Sequence, residues 1–260
     1  MAKMTIKKQI GIITGATGGF GIEFLKILIK NETLDEIWAL SKNEEKLLNV
    51  QKTFGPKVRI FAVDLSDSKN IEAFSKNLSN NITIKYLINN AGFAKFCSYK
   101  ELSLEQSLQM IDVNIKAVVA MTICCYPFMQ EKSHIINIAS QAAFQPLPYM
   151  NIYSASKAFV RNYTRALNVE LKPSGITATA VCPGWMKTKF FEVAEMGAEK
   201  TISNFKGILS PHTVAEKAIK DANKGKDTSV CSIKIKFLHF FAKVLPQSIS
   251  MKIWNLMQNL

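Results

Sequence analysis

The chain alternates strand-like apolar runs with helix-like segments over most of its length. The strand-like runs lie at residues 9–14, 36–40, 58–64, 86–92, 134–140 and 176–184. Segments with apolar residues at helical spacing separate them, as at residues 21–30 and after Asn43, which is a suitable N-cap. Strands joined by helices run parallel, and a parallel sheet is covered by helices on both faces. The alternation therefore predicts a doubly wound parallel sheet in a three-layer α/β/α fold.

The length of 260 residues fits one α/β domain. No linker, internal repeat or low-complexity tract interrupts the sequence before residue 225. We therefore expect residues 1–225 to form a single domain, with residues 226–260 as a C-terminal apolar and basic helical extension of it.

The C-terminal segment 233–260 is apolar, aromatic and basic, and Pro246 divides it into two parts. Neither part has the ~20 unbroken apolar residues that a membrane span needs. Two interpretations stay open. The segment is either a pair of amphipathic helices on a membrane surface, or an element packed over a cleft or against another subunit.

The net charge of +13 raises the question of a nucleic-acid partner. Of the 33 basic residues, however, only Arg59, Arg161 and Arg165 are arginines, and the lysines are spread along the chain. Base reading and bidentate phosphate contacts prefer arginine. The sequence therefore predicts no nucleic-acid binding.

The five cysteines are odd in number and include no C-x-x-C pair. Neither a disulfide framework nor a zinc site fits this spacing. No long apolar segment followed by a cleavage site stands at the start of the sequence. We expect a protein without a metal site in a reducing, cytoplasmic compartment, with peripheral membrane association if segment 233–260 provides it.

A glycine-rich segment follows the first strand-like run. Gly15, Gly19 and Gly21 stand where that strand meets the first helix, in I-I-T-G-A-T-G-G-F-G. Glycine allows a tight turn and the close approach of a phosphate, and the free N–H groups at a helix start attract an anion. In a βαβ unit this loop predicts a dinucleotide-binding site. A purely structural turn would not require three glycines there.

The end of the second strand bears on which dinucleotide binds. NAD sites usually have an acidic residue there for the ribose, whereas NADP sites have a basic residue near the 2′-phosphate. This chain has Ser41 and Lys42 at that position and no carboxylate. The sequence favours NADP(H), with NAD(H) as the alternative if Lys42 is one more solvated lysine.

Tyr153 stands four residues before Lys157, which places both on one face of a helix. Such a pair is most often an ordinary surface contact. A cation beside a phenol also favours the phenolate and lowers its pKa, as an acid/base tyrosine requires. Ser140, at the end of the fifth strand-like run, and the nucleotide loop upstream favour the acid/base interpretation.

Several short motifs occur in a fixed order along the chain. They are T-G-A-T-G-G-F-G, V-D-L, N-N-A-G, Asn114, N-I-A-S, Y-S-A-S-K and P-G-W-M-K-T. In this combination the chain resembles the short-chain dehydrogenases/reductases over residues 9–190. The resemblance implies a Rossmann-like sheet of about seven strands, a nicotinamide cofactor, an oxidoreductase activity on carbonyl or alcohol groups, and a substrate loop near residues 185–210.

The resemblance also assigns cofactor contacts, of which Asp64 would reach the adenine and Thr188 the nicotinamide carboxamide. The assigned residues are Thr14, Gly15, Thr17, Gly19, Phe20, Gly21, Ser41, Lys42, Asp64, Leu65, Asn90, Ala91, Gly92, Tyr153, Lys157, Pro183, Gly184 and Thr188. Phe20 departs from the family pattern, which usually has a small aliphatic residue there. The basic residue that many NADP-using members carry just before Gly19 is absent, so Lys42 is the main support for NADP(H).

The same resemblance implies a catalytic set of Asn114, Ser140, Tyr153 and Lys157. Tyr153 would exchange a proton with the substrate oxygen, and Ser140 would hold that oxygen. Lys157 would lower the pKa of the phenol and bind the ribose hydroxyls. Asn114 would position a water molecule that links Lys157 to solvent.

Residues 140–150 and 185–196 supply many apolar side chains around this predicted site. They favour a hydrophobic, lipid-like substrate of the 3-oxoacyl or steroid type. The alternatives are a non-catalytic NADP-sensing regulator and a membrane-peripheral protein on the same scaffold. Regulators of this kind usually lack the tyrosine or the lysine, and this chain has both. The resemblance further implies a homodimer or homotetramer formed through the helices that carry Asn114 and Tyr153.

Overall fold

The computed structural model describes residues 7–188, 190–195, 202, 204–205, 207–232, 235, 237 and 244–260. At its centre lies a seven-stranded sheet in which neighbouring strands run parallel. The strands are β1 (Lys8–Thr14), β2 (Glu36–Ser41), β3 (Val58–Ala62), β4 (Ile82–Asn89), β5 (His134–Ile138), β6 (Thr177–Val181) and β7 (Thr228–Ser229). Their order is β3-β2-β1-β4-β5-β6-β7, so the sheet is doubly wound, as the sequence predicts.

Helices cover both faces of the sheet. The α-helices are α1 (Gly19–Ile29), α2 (Glu44–Phe54), α3 (Ser68–Ser75), α4 (Leu104–Ile111), α5 (Ala117–Cys125), α6 (Asn151–Leu171), α7 (Phe190–Glu195), α8 (Pro211–Asn223) and α9 (Gln247–Gln258). On one face, α1 and α8 share a core that includes Phe24 and Val214. On the other face, α3 and α5 contribute Ile71 and Met121 to a second core. The result is the three-layer arrangement expected of strands joined by helices.

Strand β1 shows why the strand-like runs are apolar throughout. Neighbouring residues of a strand point to opposite faces of the sheet. Ile12 packs into the core with α3 and α5, and Ile13 packs into the core with α1 and α8. Both side chains are fully buried. A strand covered by helices on both faces needs this pattern, and alternating polar residues would be left without water.

Two helix starts follow directly from local sequence. The Asn43 side chain accepts a hydrogen bond from Lys46 N at 2.8 Å, which confirms the predicted cap of α2. Ser103 and Gln106 form a capping box at the start of α4, in which each side chain binds the other residue's backbone N–H. These bonds satisfy N–H groups that the first turn of a helix leaves unpaired.

Each of the six predicted runs overlaps a strand, although β4 begins four residues before its run, and four of the runs extend past the carboxyl end of the strand. Strands β3, β4, β5 and β6 end at Ala62, Asn89, Ile138 and Val181. The residues that follow leave the sheet while the chain is still apolar, so composition does not mark the boundary. None of the six predicted runs includes β7, because a two-residue strand is too short to show a period.

The strand order reverses between β1 and β4. The chain leaves β1 towards β2 on one side and later returns to β4 on the other. Loops after two such strands diverge and open a crevice at their carboxyl ends. This topology places the glycine loop after β1 beside residues Asn90–Gly92 after β4.

One helical stretch, Leu104–Phe128, is long and apolar enough to cross a membrane by length and mean hydropathy alone. It comprises α4, a π-helical turn at Asp112–Lys116, α5 and a short 3₁₀ turn. The stretch packs against α3, α6 and β4. This packing accounts for the apolar residues on its inner side, as in the core helix of a globular domain.

His134 lies at the start of β5 in a buried polar contact. Its Nδ1 is 2.7 Å from Thr177 Oγ1, and its ring packs against Tyr86 with a centroid distance of 5.1 Å. Burial lowers the pKa of His134 to about 4, and the nearby Lys85 charge acts in the same direction, against a hydrogen bond to the backbone of Ala222. The imidazole is therefore neutral in the folded protein at neutral pH.

We predict that His134 makes the protein less stable in mild acid. The unfolded imidazole has a pKa near 6.5, so the unfolded state binds more protons between pH 6.5 and pH 4. The stability that His134 contributes is present above pH 6.5 and falls by on the order of 3 kcal/mol as the pH drops to about 4. Urea unfolding at a series of pH values should show this slope in wild type and a smaller one in His134→Asn. Equal slopes in the two proteins would contradict the assignment.

Candidate active site

The glycine loop is shaped by close packing at Gly15 and Gly21. Gly15 has a φ of 63°, and a Cβ there would lie 2.9 Å from Ala91 Cα. A Cβ on Gly21 would collide with the carbonyl oxygen of Gly15. At Gly19 the nearest atom would be Thr188 Cγ2 at 3.4 Å, an ordinary contact. Folding therefore requires Gly15 and Gly21, whereas Gly19 leaves backbone open to the cavity at the start of α1, where an anion is favoured.

Thr14 and Asn90 tie the ends of β1 and β4 together. Thr14 Oγ1 accepts hydrogen bonds from the backbone N–H groups of Asn90 and Ala91, both at 3.0 Å. Asn90 Nδ2 donates to the carbonyl oxygens of Thr14 and Gly15 at 3.0 and 3.1 Å. The Asn90 side chain thus shapes the glycine loop, and Asn90 also lines the cavity.

A second group of predicted residues lies beside the carboxyl ends of β2 and β3. Thr17 Oγ1 is 2.8 Å from Ser41 Oγ, and Lys42 Nζ is 2.6 Å from Asp64 Oδ2. Partial burial raises the pKa of the Asp64 carboxyl, but hydrogen bonds from Lys42 and Ser66 outweigh burial and hold it below its ordinary value. The Lys42 side chain is 70% exposed, so its ammonium group is accessible from solvent.

Leu65 does not join this group. Its side chain is buried in the core formed with α3 and α5. The motif that predicts a cofactor contact for Leu65 therefore also supplies an apolar core residue.

Ser140, Tyr153 and Lys157 come together in the wall of one cavity. Ser140 follows β5, and its Oγ accepts a hydrogen bond from Ala142 N at 3.1 Å. Tyr153 and Lys157 lie one turn apart near the start of α6, and the Tyr153 hydroxyl is hydrogen-bonded to Ser140. The Lys157 Nζ donates to the carbonyl oxygen of Ile138 at 2.8 Å and lies 5.8 Å from the centre of the Tyr153 ring.

Burial dominates the electrostatics of this group. All three side chains are less than a tenth exposed. Burial raises the pKa of Tyr153 to about 12, against the hydrogen bond with Ser140, which lowers it. Burial lowers the pKa of Lys157 to about 8, against the nearby Cys182. Among the protein's own groups, burial outweighs the lowering of the phenol pKa that is predicted for Lys157. Tyr153 is therefore protonated at neutral pH.

Asn114 lies in the π-helical turn between α4 and α5 and is fully buried. Its Oδ1 accepts from Phe93 N at 3.1 Å, and its Nδ2 donates to Phe93 O and to Ser156 Oγ at 3.0 and 3.1 Å. The side chain thus holds the chain after Gly92 against α6. A Cβ at Gly92 would lie 2.9 Å from Asn114 Oδ1 and 3.2 Å from Lys157 Nζ, so both side chains close on this glycine.

Pro183, Gly184 and Thr188 follow β6 and line the same cavity. The carbonyl oxygen of Pro183 accepts a hydrogen bond from Gln141 N at 2.8 Å, which joins this segment to the loop after Ser140. The methyl group of Thr188 faces Gly19 across the cavity wall. These contacts bring the loops after β1, β5 and β6 around one space. Part of the predicted substrate loop at residues 185–210 lies outside the described residues.

The cavity has a volume of about 660 Å³ and extends from the glycine loop to an aromatic region beside Tyr153. Phe96 and Phe190 pack against the Tyr153 ring with centroid distances of 6.4 and 5.8 Å. Trp185 and Phe205 join the same aromatic cluster. The sequence analysis does not single out Phe96, although it follows the N-N-A-G motif closely.

Helix α9 packs along the aromatic end of the cavity and contributes to its lining. Trp254 is buried in the cluster that contains Tyr153, and its Nε1 donates to Pro148 O at 3.1 Å. Gln258 Oε1 accepts a hydrogen bond from Asn204 N at 3.0 Å, and both residues line the cavity. For residues 247–258 the structure therefore favours packing over the cleft, one of the two alternatives that the sequence leaves open. Much of the first half of segment 233–260 lies outside the described residues.

A family model described as short chain dehydrogenase matches residues 9–198. An NADP-dependent 3-hydroxy acid dehydrogenase of Escherichia coli is 34% identical over 219 residues, which cover 80% of this chain and 86% of that protein. A very-long-chain 3-oxoacyl-CoA reductase of Anas platyrhynchos is 29% identical over 254 residues, which cover 93% of this chain and 77% of that protein.

A solved structure supports the same relationship. The closed form of a serine dehydrogenase complexed with NADP+ superimposes with a TM-score of 0.74 and 31% identity, covering 85% of this chain and 93% of that chain. Fold, motif order and sequence similarity agree over the same residues. The chain belongs to the short-chain dehydrogenase family and is an oxidoreductase of that family, with a nicotinamide dinucleotide as its cofactor.

Proposed function

We propose that the protein is an NADPH-dependent reductase of apolar carbonyl compounds, which also catalyses the reverse oxidation of the alcohols. One observation carries this proposal: the Tyr153 hydroxyl, bonded to Ser140 and beside Lys157, lies in one cavity between the glycine loop and an aromatic wall. A carbonyl oxygen bound at the Tyr153 hydroxyl would turn its carbon towards the side of the cavity where the nicotinamide ring of a bound cofactor would lie. This is the arrangement that a combined hydride and proton transfer requires.

The residue roles follow from burial and charge. Bound NADPH supplies the hydride to the carbonyl carbon. Tyr153, protonated at neutral pH, donates its proton to the carbonyl oxygen, while the Ser140 hydroxyl donates a hydrogen bond that stabilises the charge growing there. The Lys157 ammonium stabilises the phenolate that remains, and a proton from solvent then restores the phenol.

Asn114 has a positioning role in this proposal. Its three hydrogen bonds hold the chain after Gly92 and the helix that carries Tyr153 in a fixed relation. A water molecule that relays protons between Lys157 and solvent would bind the backbone of the π-helical turn more readily than the Asn114 side chain, since that side chain already has three protein partners.

Lys42 supports NADPH over NADH. A 2′-phosphate near the end of β2 would find the exposed Lys42 ammonium and the hydroxyls of Thr17 and Ser41. The Asp64 carboxylate at 2.6 Å would compete for the ammonium, but a phosphate carries more charge and more acceptor oxygens. The names of two relatives agree with this choice, since one is NADP-dependent and the other is complexed with NADP+.

The aromatic wall supports a hydrophobic substrate of the 3-oxoacyl or steroid type. Trp185, Phe190 and Trp254 line the part of the cavity beyond Tyr153, and Phe96 packs behind them. Burial of an apolar chain against such side chains supplies binding free energy in proportion to the area covered. The reductase from Anas platyrhynchos and the E. coli dehydrogenase bear names of 3-oxoacyl and 3-hydroxy acid enzymes, which agrees with this class.

We further propose that residues 1–225 form the catalytic domain, with residues 226–260 as its extension, and that the chain assembles as a homodimer or homotetramer in a reducing, cytoplasmic compartment. Apolar side chains are exposed along α4, α5 and α6, among them Leu108, Ile123 and Phe159. A second copy would cover them. The non-catalytic regulator is not favoured, because Ser140, Tyr153 and Lys157 are intact and reach the cavity.

The first prediction concerns the proton donor. Tyr153→Phe should lower kcat for NADPH-dependent reduction of a soluble apolar aldehyde by about 10³-fold, because the substrate oxygen loses its acid. NADPH binding, followed by nucleotide fluorescence, should change little. Tyr163→Phe on the same helix is the matched control and should retain activity. Equal activity of the two variants would argue against Tyr153 as the acid.

The second prediction concerns cofactor choice. Lys42→Ala should weaken NADPH binding by about tenfold or more, through loss of a charge-assisted contact to the 2′-phosphate, and leave NADH binding nearly unchanged. Lys46→Ala removes an exposed lysine one turn further along and serves as the control. Fluorescence titration with both nucleotides measures the ratio. A protein that prefers NADH before and after the substitution would show Lys42 to be a bystander.

A further inference from the structure

The outer face of α9 is apolar although it faces solvent. Ile249, Ile253, Leu256 and Met257 recur at the spacing of one helix face, and they are 43%, 44%, 79% and 52% exposed. Trp254, on the opposite face, is buried. A helix packed on a globular domain normally turns polar residues outward. The exposed apolar face is therefore suited to a partner that is itself apolar.

The substrate cavity borders this face. Ile253 and Met257 line the cavity and are also about half exposed, so they form both its wall and its rim. Further inside, the lining continues over Trp254 to Phe190 and Tyr153. The route from the surface to the Tyr153 hydroxyl is thus lined with apolar side chains, and it begins on the exposed face of α9.

The charge of this part of the chain is strongly one-sided. The last 33 residues contain four lysines and no aspartate or glutamate. Lys252 lies exposed on α9 next to Ile253. Phe237 and Val244, just before α9, are also exposed apolar side chains. Lysines beside exposed apolar residues match the two components of an anionic bilayer surface, its headgroups and its acyl chains.

We propose that the apolar face of α9, formed by Ile249, Ile253, Leu256 and Met257, docks on an anionic lipid bilayer, and that the substrate enters the cavity from the bilayer. A second copy of the chain on this face would cover the cavity rim at Ile253 and Met257. It would also bring the lysines of two copies together without acidic partners from this segment. The inference rests on the proposed function in one respect, namely that the cavity takes an apolar substrate.

Vesicle flotation of the full-length protein tests the docking. Wild type should float with vesicles of phosphatidylcholine and phosphatidylserine, and less with phosphatidylcholine alone. Leu256→Glu places a charge on the apolar face without touching the cavity lining, and should reduce the bound fraction by about tenfold or more. Leu48→Glu on α2, whose side chain is also more than half exposed, is the matched control and should float like wild type.

Several results would overturn the docking. They are an absence of wild-type flotation, equal flotation of Leu256→Glu and wild type, or an equal loss in Leu48→Glu. Light scattering tests the remaining alternative, in which a second copy of the chain covers the apolar face of α9. If wild type fails to float and Leu256→Glu lowers its molar mass in solution, a second copy occupies the face instead of a bilayer.

Turnover measurements separate this inference from the proposed function. Leu256→Glu should reduce a short, water-soluble aldehyde at the wild-type rate, but reduce a long-chain ketone held in vesicles about tenfold more slowly. Flotation without any NADPH turnover would refute the reductase and leave the docking intact. Turnover of the soluble aldehyde without flotation would refute the docking alone, and equal turnover of the vesicle-held ketone would refute the entry route.

Discussion

The hydrogen bonds between Thr14 and the backbone of Asn90 and Ala91 hold the site open at the point where the strand order of the sheet reverses. They join the carboxyl ends of β1 and β4, the two strands whose following loops diverge. Gly15 turns there with a positive φ, and Ala91 leaves no room for a side chain, so both the backbone and the packing require glycine. The start of α1, the cavity and the position of Gly92 all follow from this junction. A loop that lacked it would have neither the turn nor the exposed backbone that a pyrophosphate requires.

Burial then determines the chemistry. Tyr153 and Lys157 are withdrawn from water, so burial favours the neutral form of each group. For Tyr153 this keeps the proton that reduction needs. For Lys157 it brings the pKa near the physiological range while the Ile138 carbonyl fixes the ammonium group. The same low-polarity surroundings strengthen the effect of each charge on its neighbour.

Sequence patterns and structure differ where the strands end. The apolar runs continue past β3, β4, β5 and β6 into Asp64, Asn90, Ser140 and Pro183. Two of these residues have partners at the ends of neighbouring strands, since Asn90 binds Thr14 and Asp64 pairs with Lys42. Periodicity reports how a segment is buried but not what lies beside it. The same limit explains Leu65, whose motif is that of a cofactor contact while its side chain is a core residue.

The sequence by itself determined the parallel α/β fold, the cap at Asn43, the glycine loop and the family's ordered motifs, because each of these depends on neighbours within a few residues or on one repeating period. Only the tertiary structure decided that Asn114 binds Phe93 and Ser156, that Lys42 pairs with Asp64, and that α9 packs along the cavity through Trp254. These contacts join segments that are from about 20 to more than 100 residues apart. An amphipathic helix looks the same in sequence whether its apolar side meets a protein core, a second subunit or a bilayer, because its period records only that one side is buried.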